Sequence, residues 1–186
     1  MHENFFDTVK KKNKYVIQFK GLSEGSHKFD FNIDSAFFGY YNYSDIKEGN
    51  LVALIDLVKR SNHMELSVSI KGSVVVTCDR CLEQFPFQTE YHGQLFVKFS
   101  EVLENEPDDE IIVLSTNESE LNLGHYLFES ICLSLPYKKV HPGKPDNTDG
   151  CNTDMINKLN QLKVTGEPEK EDTDPRWDRL KDIKFN

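Results

Sequence analysis

LSVSIKGSVVVTCDRCLEQFPFQTEYHGQLFVKF, residues 66–99, is the stretch that decides the fold. Its first half places Leu66, Val68, Ile70, Val74 and Val76 at every second position, with Gly72 as the one gap, and Ser67, Ser69, Lys71, Ser73 and Thr77 between them. Its second half repeats the period with Phe85, Phe87, Tyr91, Leu95, Val97 and Phe99 against Gln88, Glu90, His92, Gln94 and Lys98. A period of two is that of a strand with one buried face. Two such runs joined by Cys78-Asp79-Arg80-Cys81-Leu82-Glu83 predict a β-hairpin turned by a Cys-x-x-Cys knuckle. Gly72 inside the first strand predicts a bulge or a bend.

Working outward, Leu51 to Val58 is a short, almost continuous apolar run ahead of a Ser61-Asn62-His63 turn. It predicts a buried strand, giving an antiparallel meander over 51–60, 64–77 and 85–99. Upstream, Tyr15, Ile17 and Phe19 alternate, Ser23-Glu24-Gly25 turns the chain, and Phe29, Phe31 and Ile33 alternate again, which predicts a separate hairpin. The aromatic segment 37–43 reads as a short helix or irregular packing unit with Asp34 or Ser35 as its N-cap.

Downstream, the acidic run 101–110 reads as an exposed loop and Ile111–Leu114 as a last short strand. Leu123, Leu127, Ile131 and Cys132 recur at helical spacing up to Pro136, predicting a helix that covers one face of the sheet and a buried, inert thiol at Cys132. Met155, Ile156, Leu159 and Leu162 predict a further short amphipathic helix capped by Asn152 or Thr153. Residues 164–174 are polar and read as disordered or extended, after which Asp174-Pro175 would open a helix with Trp177, Leu180 and Ile183 on one docking face. The expected class is therefore α+β: antiparallel hairpins with one covering helix, the knuckle and a partly disordered C-terminal tail. Residues 1–14 form a flexible basic arm, 15–163 a single domain, and 164–186 a linker with a docking segment.

With 186 residues and 38% hydrophobic side chains, the chain can bury a sizeable core. No signal-peptide pattern and no membrane-length apolar run is present, so a cytoplasmic protein with reduced or metal-bound cysteines is expected, with no membrane partner. The net charge of −9 is uneven. Residues 21–136 hold 7 basic and 19 acidic side chains, or −12, whereas residues 1–20 carry +3. Such a body repels a phosphate backbone and suits a basic protein partner. The cluster Lys10, Lys11, Lys12 is the local exception: a solvated terminus, or an arm that touches RNA.

Catalytic signatures are absent: no Gly-rich phosphate loop, no nucleophile elbow, no His-Glu-x-x-His and no evident small-molecule substrate site. The chemistry rests on the cysteines. A redox dithiol opens a helix after a strand, where the helix N-terminus lowers the thiol pKa, and here strands flank the motif on both sides. A knuckle puts two sulfurs on one side of a turn, as a structural zinc site requires, and His141 and Cys151 supply the right residue types for the other two ligands. The competing reading makes His141 a loop residue and Cys151 a spare thiol.

Gly72, the Cys78-Asp79-Arg80-Cys81-Leu82-Glu83 knuckle with Phe85, the helix from Leu121 to Leu135 running into Leu135-Pro136, Val140-His141, Cys151 and Asp174-Pro175-Arg176-Trp177 with Leu180 together resemble the YceD family. The resemblance runs over roughly residues 50–186, with 51–163 as its core. It implies a role in accumulation of large-subunit ribosomal RNA, in the genomic company of a small large-subunit ribosomal protein, and supplies no reaction. Members commonly carry a second cysteine group in the later loop. Here Cys151 stands alone there, so the implied zinc set is Cys78, Cys81, His141 and Cys151. The reading that follows is a non-catalytic ribosome biogenesis factor that binds a large-subunit precursor, its RNA or a basic ribosomal protein. Arg80, Leu82, Arg176, Trp177 and Lys10 to Lys12 are its candidate contacts. The alternative is a thiol-redox or metal-handling protein working through Cys78 and Cys81.

Overall fold

β4 (His63–Thr77) and β5 (Gln84–Phe99) pair antiparallel without interruption from His63↔Lys98 to Thr77↔Gln84. This ladder is the spine of a computed structural model that describes residues 13–41, 44–100, 111–142 and 150–163. Lys10, Lys11, Lys12, Arg176 and Trp177 lie outside the described residues, with residues 1–12 of the expected arm and all of 164–186. The last two arm residues are described, Asn13 and Lys14 entering a 3₁₀ turn (Asn13–Tyr15) in which Lys14 Nζ donates to Asp34 Oδ2 at 3.1 Å.

β3 (Gly49–Lys59) adds to β4, and β2 (Gly25–Ile33) adds to β3, so the order across the sheet is β2-β3-β4-β5-β6. β6 (Ile111–Leu114) runs parallel to β5, pairing only with Phe96–Phe99. A separate two-stranded ribbon joins β1 (Val16–Ile17) to β7 (Leu121–Asn122). Three α-helices complete the described structure beside the 3₁₀ turn at Asn13–Tyr15: α1 (Ser35–Phe38), α2 (Gly124–Leu133) and α3 (Thr153–Leu162). The class is α+β.

The period of two sorts the faces. Leu51, Ala53, Ile55 and Leu57 of β3 align with Leu66, Val68 and Ile70 of β4 and with Leu95 and Val97 of β5, all buried. Phe37 and Phe38 of α1, Leu127, Phe128 and Ile131 of α2, and Tyr15, Ile17, Leu121 and Leu123 of the ribbon close over this face. Full burial of each such side chain contributes about 1.5–3 kcal/mol. Aromatic contacts fix the lid: Tyr41 stacks on Phe128 at 3.8 Å, and Phe37 meets Tyr15 edge-on at 4.8 Å. Asp34 caps α1, its Oδ1 accepting from the Phe37 N–H at 3.2 Å.

Four expectations are corrected. The N-terminal hairpin does not form: β1 pairs with β7, and β2 gives its nine residues to β3. Alternation marks a strand but not its neighbour, and the longer ladder lets Phe29, Phe31 and Ile33 meet Ile55, Ala53 and Leu51 on one face. Lys59 Nζ fastens the intervening turn by donating to the carbonyls of Phe19 (3.0 Å) and Leu22 (2.7 Å). Gly72 makes no bulge, since the register runs through it from Val52↔Lys71 to Asn50↔Ser73. Its φ of +153° and the backbone of Asn50 and Leu51 pressed against it are the reasons for glycine. The covering helix begins at Gly124 because Leu121 and Asn122 are spent in β7 and Asn122 Oδ1 accepts from the Gly124 N–H. Cys132 is only half-buried, because its side of the last turn of α2 faces the groove beside β5, where its neighbour Leu133 is 80% exposed.

Candidate metal centre

The hairpin link is built to hold sulfur. At the end of β4 the Cys78 N–H donates to the Glu83 carbonyl, and the Leu82 N–H to the Cys78 carbonyl, both at 2.9 Å. Closing the turn so tightly puts Leu82 at φ +63°, a left-handed conformation that costs a side-chain-bearing residue about 1–2 kcal/mol. Both cysteines are buried, and Leu82 is left 63% exposed. Arg80, between them, is half-buried.

Two later segments are drawn onto the knuckle. The Asp79 N–H donates to the Lys139 carbonyl (2.7 Å) while Asp79 Oδ2 accepts from the Lys139 N–H (2.6 Å), a reciprocal pair that carries His141 in behind it. Phe85 stacks on the His141 ring at 4.4 Å and 28°, setting its plane. Asn152 then works at both ends of one amide. Its Oδ1 caps α3 by accepting from the N–H groups of Asp154 (3.0 Å) and Met155 (3.1 Å), and its Nδ2 donates to Glu83 Oε1 (2.7 Å). The helix start is thereby tied to the knuckle, and Cys151, the residue before the cap, is buried against it.

The result is a group of Cys78, Cys81, His141 and Cys151 whose ligand atoms all lie within 4.8 Å of one another. His141 Nδ1 is 3.6 Å from Cys81 Sγ and 3.5 Å from Cys151 Sγ. A tetrahedron with Zn–S of about 2.3 Å and Zn–N of about 2.0–2.1 Å has an N···S edge of about 3.6 Å. The donor set could hold a metal ion. Three soft sulfurs and one imidazole suit zinc, and four protein ligands leave no open position.

The thiols are electrostatically unequal. Burial pushes the Cys78 thiol up, but the N–H groups of Cys81, Arg80 and His141 and the His141 side chain outweigh it and hold Cys78 down at about 6. Burial raises Cys151 to about 11, and hydrogen bonding to Cys81 and the charge on Cys78 act in the same direction. One proton leaves readily and the next is held, since sulfurs this close cannot all be thiolates without a cation among them. Burial also raises Cys132, which lies apart from the group.

All four ligands named from the sequence are thus brought together. The supporting residues Asp79, Phe85, Lys139 and Asn152 were not legible as a set, although Asp79 lies inside the motif and Asn152 reads as a cap. A family model described as large ribosomal RNA subunit accumulation protein YceD matches residues 66–184, just under two thirds of the chain. The chain belongs to the YceD family. The YceD match starts inside β4 and takes in the knuckle, all four candidate ligands and the Asp174-Pro175-Arg176-Trp177 segment, leaving β1 to β3 outside it. The family description links YceD proteins to large-subunit ribosomal RNA. No curated protein and no solved structure matches the chain. Among the described residues no helix is long and apolar enough to cross a membrane.

Proposed function

We propose that this YceD-family protein is a non-catalytic factor in biogenesis of the large ribosomal subunit. It acts in the cytoplasm by binding an assembly intermediate or a basic large-subunit ribosomal protein. The observation that carries the reading is the family match across the knuckle and the C-terminal half. The −12 charge on residues 21–136 supports a basic partner, because complementary charge speeds encounter and disfavours naked RNA. Closure of the Cys78, Cys81, His141, Cys151 set, with every corner taken by protein, supports a structural rather than a catalytic metal.

In this reading Zn²⁺, when bound, cross-links the β4–β5 turn to the segments carrying His141 and Cys151. The chain's own residues prepare the site: Asp79 anchors the Lys139 segment, Phe85 orients the imidazole, Asn152 fixes the start of α3, and backbone N–H groups hold the Cys78 sulfur as thiolate. Exposed Leu82 and its neighbour Arg80 form the contact surface that the clasp presents.

The test is depletion of the protein in its own cell, with co-sedimentation on gradients. Large-subunit RNA is expected to fall, and tagged protein to travel with precursor particles. Unchanged RNA and absence from every particle would end the proposal. A second reading, thiol redox or metal handling, draws on the acidic Cys78 thiol. It requires the Cys78/Cys81 dithiol to cycle with thioredoxin, and a dithiol that stays inert under that assay removes it.

A further inference from the structure

β5 is sixteen residues long, yet β6 covers only Phe96–Phe99 of its outer edge. Alongside the uncovered part runs a groove of about 510 Å³ between β5 and α2, lined by Tyr91, Gln94, Tyr126, Glu129, Cys132 and Leu133. Thr89 and the segment after α2 close its lower end, where the Thr89 hydroxyl donates to Ser134 Oγ at 2.7 Å. That leaves Glu90–Leu95 as the open edge. Among the described residues the only strand paired with it is β4, on its other side. Six residues of edge span about 20 Å, the length of an ordinary strand. Open edges of this kind invite pairing with an added strand.

The groove has the features of a peptide channel. Leu133 stands 80% exposed on its far wall, a large apolar side chain that none of the described elements covers. Tyr91 and Tyr126, hydroxyl to hydroxyl at 3.3 Å, form the floor. The charge around it is acidic. Glu129 is half-exposed in the lining, facing His125 at 3.1 Å on its own helix; Glu90, at the start of the edge, pairs with Lys71 and His92 on the outer face of the sheet. Residues 21–136 as a whole carry a net charge of −12.

We infer that the β5 edge and the α2 wall bind an extended, lysine- and arginine-rich segment of a partner protein by strand addition. The segment's backbone hydrogen-bonds to Glu90–Leu95, and an apolar side chain rests on Leu133. The inference rests on the reading that the protein holds a basic large-subunit protein, and it specifies where and in what conformation.

The probe is a fluorescent peptide of about eight alternating lysines and valines, titrated into the full chain with anisotropy and amide-exchange readouts. Expected results are saturable binding that weakens at least about tenfold from low to high salt, and slowed exchange at residues 90–95. Leu133→Lys should weaken binding about tenfold or more, while Leu54→Lys on the opposite sheet face should leave it unchanged. A peptide of the same sequence with every backbone nitrogen methylated should not slow exchange at the edge, because it has no N–H left to donate.

Equal binding of the methylated peptide, protection elsewhere, or indifference to Leu133→Lys would overturn strand addition. So would a dimer of the unmixed protein that Leu133→Lys dissolves, which would assign the edge to a second copy. The two levels separate cleanly. Peptide docking with no association with precursor particles refutes the ribosomal reading and leaves the groove standing. Particle association undiminished by Leu133→Lys refutes the groove alone.

Discussion

Gly72→Ala is the sharpest test of how the sheet is packed. A Cβ built there lands on the carbonyl oxygen of Asn50 and lies 2.6 Å from the Leu51 Cα, and the residue sits at φ +153°. Both neighbours are backbone of the adjacent strand, so relief means prising β3 from β4 at Leu51↔Gly72. Backbone strain of this kind costs about 1–3 kcal/mol, and overpacking a further 1–3 kcal/mol or so. The substitution should therefore destabilise by roughly 2–6 kcal/mol, which for a chain of this size lowers Tm by roughly 5–20 °C. Gly93→Ala on β5 is the control. Its Cβ would meet only the outer end of the Tyr91 side chain, which can swing aside at the expense of its contact with Tyr126. The loss of chain freedom in the unfolded state partly offsets that, so the net change should stay within about 1 kcal/mol. Urea denaturation of both variants gives the comparison directly, provided the slope is unchanged. If the Gly72→Ala midpoint coincides with that of Gly93→Ala, the close approach of β3 and β4 is not what makes this position glycine.

Elemental analysis should find one zinc per wild-type chain and none after Cys78→Ser; wild-type protein purified without metal refutes the clasp. In chelated protein the depressed Cys78 thiol makes stability rise with pH, because the unfolded thiol (ordinary value 9.0) binds more protons than the folded one (about 6) in that window. The contribution is present in full above pH 9 and lost as pH falls through 6. Thermal melts of Cys78→Ser should lack this component, and identical pH profiles for the two proteins would contradict it. Asn152→Ala removes the α3 cap and the tie to Glu83 together, so it should cost about 1–2 kcal/mol and speed amide exchange at Asp154 and Met155. Wild-type exchange there would place the anchor elsewhere. Leu82→Gly relieves the left-handed strain at φ +63° and should raise Tm by a few degrees while weakening particle association if Leu82 is a contact. A lower Tm would show that the strain is not there.

The strands from 51 to 99 were legible because an alternation of two has a single physical source, one face in the core and one in water, and Leu66, Val68 and Ile70 against Ser67, Ser69 and Lys71 display it without interruption. The ligand types at the clasp were legible for a related reason, since Cys78 and Cys81 at a turn can point their sulfurs only one way. Pairing was not. Whether Phe31 lies beside Ile17 or Ala53 depends on which ladder is longer and which covers the apolar face, and nothing within residues 15–33 encodes that comparison. The same holds for the clasp. His141 and Cys151 are sixty and seventy residues beyond Cys81, and their meeting depends on the Asp79–Lys139 backbone pair and the Asn152–Glu83 bond, which exist only once α2 has turned the chain back across the sheet. Local periodicity and residue chemistry determined the strands and the kind of site; tertiary structure decided the neighbours, because hydrogen-bond partners distant in sequence are chosen by the packing of the whole core.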